Sequence, residues 1–227
     1  MPPVTQNVSA VNGFAYGVIG ADVHVFGNGL PLYLLANWQQ EPPARSDWLL
    51  ELPSRMLNAR REVVPFTGRA VDLKSLREWR DNGPRLAVRW LHAPGGQGKT
   101  RIAAQLAAES AVAGWKVVAA FHGPDAERPE AGSQDLRPEG AAGVLMIVDY
   151  ADRWLLTNLS WLLRNALLHQ TGVRTRVLMI ARTTDAWPRV RGILDAYQAG
   201  TSSQSLPPLV GESGARVSMF TAALELL

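Results

Sequence analysis

The sequence predicts an α/β fold, a parallel sheet with helices on both faces, and three observations carry that reading. From Val63 onward, short apolar runs alternate with longer runs that repeat apolar residues at helical spacing. At least one short run, Val144-Leu-Met-Ile-Val148, is apolar at every position, the pattern of a strand covered on both sides. A glycine-rich segment, residues 93–98, joins the first strand of this series to its helix.

Taken in order, residues 1–38 form a β-rich N-terminal region. Val23, Val25, Leu30, Leu32 and Leu34 fall at period two around Gly27-Asn28-Gly29, which predicts small β-hairpins. Residues 39–62 read as a linker or arm that opens with Gln39-Gln40-Glu41-Pro42-Pro43, and 48–60 as a short helix or an extended piece. The α/β domain takes 63–227. Its strands are expected near 86–92, 116–121, 143–149, 175–181 and 204–209. Its helices are expected near 70–81, 100–113, 153–169, 186–198 and 212–226. The polar stretch from Gly123 to Gly143 reads as a mobile loop after the second strand.

Composition excludes several classes. The chain has 227 residues, enough for one good core with a small appendage, and its apolar content of 47% is that of a globular protein. With no cysteine, disulfides, thiolate metal sites and cysteine catalysis are out. The formal charge of +3 is small and scattered, and no basic run interleaves with aromatics, so nucleic acid is not indicated. No segment approaches eighteen apolar residues and no secretory leader is evident, so a cytoplasmic protein without membrane attachment is expected. His24, His92, His122 and His169 lack ligand-like spacing.

The segment Ala93-Pro94-Gly95-Gly96-Gln97-Gly98-Lys99-Thr100 fits the phosphate-binding loop pattern, with Ala in place of the usual first glycine. Each residue type has a task. Glycines let successive N–H groups turn toward one point and surround a phosphate. The positive end of the following helix, which includes Arg101, faces the same point. Lys99 would reach the β- and γ-phosphates and the Thr100 hydroxyl would ligate Mg²⁺. Lysine is scarce: of 23 basic residues only Lys74, Lys99 and Lys116 are lysines, so its presence here is selective.

Two strand ends add carboxylates and a cation. Val144–Val148 runs into Asp149, which at the C-terminal end of a parallel strand lies where α/β sheets bind ligands and can hold the water shell of Mg²⁺. Asp152 follows and could orient a water; either aspartate could instead cap the helix expected from Arg153. Tyr150 stands after Asp149, where many ATP-hydrolysing motors carry a glutamate, and this predicts slow hydrolysis. The strand Arg176–Ala181 ends in Arg182, placed to register a γ-phosphate, or else simply a surface arginine.

The series Pro65-Phe-Thr-Gly-Arg69, Gly95-Gly-Gln-Gly-Lys-Thr100, Val148-Asp149-Tyr-Ala-Asp152 and Ala181-Arg182 resembles the STAND class of signal-transduction ATPases, relatives of the NB-ARC and NACHT modules. The likeness is to bacterial, actinobacterial-type members, and it covers about residues 60–227. It implies a P-loop NTPase three-layer sandwich with a five-stranded parallel sheet in the order 5-1-4-3-2. It implies ATP or ADP with Mg²⁺, the segment Val64, Phe66 and Thr67 with Arg69 beside adenine and ribose, and Thr100 and Asp149 at the metal. Asp149, Asp152 and Arg182 are the implied catalytic set. The family's helical lid and winged-helix domains would follow, but the chain ends first, which reads as a fragment or a truncated member. The implied partners are the nucleotide, an unidentified protein effector and a nucleotide-dependent homo-oligomer.

Three functions fit these residues: a nucleotide-operated switch with weak ATPase activity, a non-hydrolysing nucleotide-binding interaction module, and a small-molecule kinase, for which no second catalytic base stands out. The absence of an Asn-Lys-x-Asp motif argues against a GTPase.

Overall fold

Six strands form one sheet: β1 (Tyr33–Asn37), β2 (Leu86–His92), β3 (Lys116–His122), β4 (Val144–Val148), β5 (Thr175–Ala181) and β6 (Gly200–Ser205). The computed structural model describes residues 16–25, 30–39, 66, 68–122 and 133–208. The sheet order is β1-β3-β4-β5-β2-β6. Strands β2 to β6 are mutually parallel, as strand–helix alternation requires, and β1 lies antiparallel on the edge beside β3. Counted from β2, the parallel strands alone run 5-1-4-3-2. The full sheet differs from the expected five-stranded order by the added β1.

That addition corrects the expected N-terminal region. The expected hairpin survives as one isolated antiparallel bridge, Val25 to Pro31, and the strand after it extends the main sheet. Tyr33 and Leu35 pack into the same core as Val118 and Val148. The period-two pattern at 30–34 is therefore that of an edge strand with two covered faces, which alternation does not distinguish from a free hairpin.

Helices α1 (Ala70–Asp81) and α2 (Lys99–Val112) cover one face of the sheet, and α3 (Leu156–Leu163) and α4 (Trp187–Asp195) the other. The division is visible along β2. Leu86, Val88 and Trp90 pack toward α3 and α4, while Ala87 and Leu91 pack toward α1 and α2. Burying both faces explains why the central strands are apolar throughout. No helix among the described residues is long and apolar enough to cross a membrane.

Three expected boundaries move. The last strand is 200–205, not 204–209: it is the polar sheet edge, and Pro207 and Pro208 cannot donate to a ladder. Arg89 of β2 bonds Ser202 Oγ at 3.0 Å and Gln204 Oε1 at 3.1 Å there. The single helix expected over 153–169 is a 3-10 turn (Ala151–Arg153), then α3, then a second 3-10 turn (Ala166–Leu168). Asn165 sets the second break, since its side chain accepts from Leu167 N at 3.0 Å and donates to Asp22 O and Tyr33 Oη. The stretch expected as a loop from Gly123 to Gly143 is anchored in its described part, with Leu136 fully buried and its N–H on Ile19 O at 2.8 Å. The readings of 48–60 and 212–226 lie outside the described residues.

Candidate functional site

The C-terminal ends of β2, β4 and β5 meet at one edge of the sheet, the edge where parallel α/β folds hold ligands. β2 runs into residues 93–98 and then α2; β4 ends at Asp149; β5 ends at Arg182. The β2–β5 pairing carries to the tips: His92 faces Ala181, and Ala93 N donates to Ala181 O at 3.3 Å. Arg182 thus stands next to the start of the glycine-rich loop.

Within that loop Gly96 and Gly98 both have φ of 76°, a conformation that disfavours any side chain. Gly95 does not, and a Cβ built on Gly95, Gly96 or Gly98 would meet nothing within 4 Å. Among the described residues no protein atom explains glycine at 95. A ligand lying close on the backbone would, so the residues present fit a phosphate. Pro94, Gly95 and Gly96 are exposed, and Gln97, Gly98 and Arg101 are half-buried. Gly98 caps α2 without a side-chain bond, and the first turn carries no acidic residue, so α2 itself supplies no negative charge to its positive end.

Lys99 is buried, and its ammonium donates to Ala93 O at 2.6 Å and Pro94 O at 2.8 Å. Burial pushes its pKa below the ordinary lysine value; the charge of Arg182 pushes the same way, and Asp149 and Asp152 oppose. Two cations therefore feel each other across the loop, a repulsion that an anion between them would relieve. His92, at the end of β2, is held below its usual value by burial and by the Lys99 charge.

The Thr100 hydroxyl donates to Asp149 Oδ2 at 3.2 Å, tying the first turn of α2 to the tip of β4. A hydroxyl and a carboxylate so placed are hard oxygen donors of the kind that suits Mg²⁺. No cluster of three His, Cys, Asp or Glu occurs among the described residues, so a magnesium ion here would rely on phosphate and water for its other ligands, as it commonly does. Neither aspartate caps a helix: Asp149 Oδ1 accepts from Tyr150 N at 2.8 Å, and the 3-10 turn and α3 start without side-chain caps. Asp152 Oδ1 is buried without a hydrogen-bond partner.

Arg69 is buried with φ of 60°, and its guanidinium donates to Gln97 O at 3.0 Å and Asp72 Oδ2 at 3.2 Å. Those bonds make it a brace for the loop. Phe66 is half-buried and lines a cleft of about 540 Å³ with Leu73, Arg77, Gln105 and Glu109. Val64 and Thr67 lie outside the described residues.

Two contributors were not read from the sequence. Trp90 is fully buried, stacks on Trp187 at 5.5 Å, and donates its indole N–H to Thr183 O at 2.9 Å, fixing the segment that carries Arg182. Trp154 donates to Asp149 O at 3.2 Å. A tryptophan near the end of the mainly apolar strand that leads into the loop was the available signal for the first. No known protein-family model matches the chain, and no curated protein matches it either.

Proposed function

We propose that this chain is an ATP/ADP-binding molecular switch of the STAND type, with slow Mg²⁺-dependent ATP hydrolysis, acting in signal transduction or regulation. The observation that carries the reading is the meeting of Lys99, the Thr100–Asp149 pair and Arg182 around a glycine loop whose open side a Cβ would enter. In this reading the loop amides and Lys99 hold the β- and γ-phosphates. Thr100 and Asp149 hold Mg²⁺ and its water shell, and the ion would offset charge on the phosphates when bound. Arg182 meets the γ-phosphate and so separates ATP from ADP. A ligand shifts a conformational equilibrium only by its differential affinity, and Arg182 is where that difference arises.

A second reading, a module that binds nucleotide without hydrolysing it, is favoured by one observation. The position after Asp149 is Tyr150, and its contact with that carboxylate is a backbone N–H. Position 150 itself therefore offers no carboxylate to activate water, which leaves Asp152 as the remaining candidate.

The test is paired calorimetric titration with ADP and a non-hydrolysable ATP analogue, with and without Mg²⁺, followed by a phosphate-release assay. The switch reading expects both nucleotides to bind, slow release of phosphate, and a loss of about 1.5–3 kcal/mol in Arg182→Ala that is confined to the ATP analogue. Binding without release supports the second reading. No binding of either nucleotide refutes both.

A further inference from the structure

The ring of Tyr150 carries two guanidinium groups. Arg153 lies over it at 4.8 Å and Arg182 at 5.9 Å from the ring centre. Tyr150 is itself held in an unusual way. Its φ of 51° is left-handed, a conformation that a bulky non-glycine residue adopts only when its surroundings enforce it. Those surroundings are on both sides. Tyr150 N donates to Asp149 Oδ1 at 2.8 Å, and Tyr150 O accepts from Arg153 N at 2.8 Å, closing the 3-10 turn. Asp149 is in turn bonded to Thr100. The left-handed turn directs a half-exposed aromatic ring out beside the tip of β5, where no core packing requires it.

From this geometry we infer that Tyr150 is a positioning residue for Arg182. Its ring face holds the guanidinium next to the phosphate loop, ready to meet a third phosphate; the inference rests on the nucleotide reading above. The arginine needs such a support. It is exposed, it feels the like charge of Lys99, and an unrestrained arginine side chain loses considerable rotamer freedom on meeting a ligand. Trp90 fixes the backbone of the segment through Thr183 O, while the ring restrains the side chain. The aromatic residue at 150 thereby serves selectivity between ATP and ADP, where a glutamate would serve turnover.

The experiment measures the ratio of affinities for a non-hydrolysable ATP analogue and ADP, with Mg²⁺ present. The proteins are the parent, Tyr150→Phe, Tyr150→Ala, Tyr150→Asn, Arg182→Ala and the double variant Tyr150→Ala/Arg182→Ala. Asparagine tolerates a left-handed φ, so that variant removes the ring without added backbone strain. Removing the ring should lower preference for the ATP analogue about two- to fivefold, the size of one exposed cation–π contact, with ADP affinity unchanged. Tyr150→Phe should keep the parental ratio, and in the Arg182→Ala background Tyr150→Ala should cost nothing further. If Arg182→Ala abolishes the preference while Tyr150→Ala and Tyr150→Asn retain it, the nucleotide reading stands and the positioning role is wrong. A loss in Tyr150→Phe as large as in Tyr150→Ala likewise overturns it, because the ring face would not be the element that acts. A parent protein that binds neither nucleotide removes the premise and overturns both readings.

Discussion

Lys99→Ala separates the site from the fold more sharply than any other single change. In the structure the ammonium has two neutral acceptors, Ala93 O and Pro94 O, and it sits in a buried position that depresses its pKa. Binding a triphosphate would exchange at least one carbonyl for an anionic oxygen. A hydrogen bond to a charged group contributes about 1.5–3 kcal/mol, and one or two such bonds, less the carbonyl bonds given up, leave about 2–4 kcal/mol. That corresponds to roughly a 30- to 1,000-fold loss of ATP affinity. The apo fold should not suffer equally, because the substitution also removes a charge that burial disfavours, and the exposed Pro94 carbonyl can turn to water. Isothermal titration gives the affinity and thermal denaturation without nucleotide gives the stability. Unchanged ATP affinity in a folded variant would show that the glycine loop is not the binding site.

Asp149→Asn should leave nucleotide binding largely intact and weaken its Mg²⁺ dependence, while Asp152→Asn should lower phosphate release; parental hydrolysis rates in both would end the assignment of the β4 tip. Arg176→Met should destabilise the fold by at least about 1–3 kcal/mol in urea denaturation without changing nucleotide affinity, since it leaves buried backbone carbonyls without their donor; a loss under about 1 kcal/mol would mean that water replaces the guanidinium there. His92 has a folded-state pKa below its ordinary 6.5. The unfolded chain therefore takes up that proton first, and stability present above about pH 6.5 is lost as the pH falls through that value toward the folded-state one. His92→Gln should flatten the fall in denaturation midpoint between about pH 7 and 5, and an unaltered slope would place the effect elsewhere.

The parts of the fold that were legible in the sequence are those written locally. The run Val144–Val148 is apolar at every position because β4 is covered by helices on both faces, and its boundary survives within a residue. The glycine loop was legible because its positive φ angles demand glycine by type. The last strand was misplaced because an edge strand is allowed to be polar. Its neighbour Leu206, buried just past the end of the strand with its N–H on His92 O, carried the apolar signal instead. β1 was read as part of a hairpin because its partner, β3, lies more than eighty residues away and leaves no mark in the local pattern. The same limit applies at the site. Arg69 could be picked out as a candidate, but its bond to Gln97 O depends on how α1 packs beside the loop. The rings of Tyr150 and Trp90 act across strand ends that only the sheet brings together.

The two ends of the sheet differ in how they hold charge. At the start of β5, Arg176 is fully buried, and its guanidinium donates to the carbonyls of Trp79, Arg80, Asn82, Pro84, Arg85 and Thr175 at 2.7 to 3.3 Å. It binds the end of α1, the turn into β2 and the start of β5 into one piece, and burial lowers its pKa only to about 10, so it stays charged at neutral pH. At the opposite end of the same strands the chain holds what a fold selected for stability alone would avoid. Lys99 and Arg182 repel one another, Asp152 Oδ1 is buried without a partner, and Arg69 and Tyr150 both hold left-handed backbone. Each of these features borders the glycine loop or a strand tip beside it. Two cations brought close at one edge, beside the glycine loop that follows β2, are the arrangement that an anionic ligand would suit. On the nucleotide reading proposed above, a phosphate would supply the negative charge that Lys99 and Arg182 lack, and the loop, the 3-10 turn after Asp149 and the tip of β5 are the segments placed to respond to it.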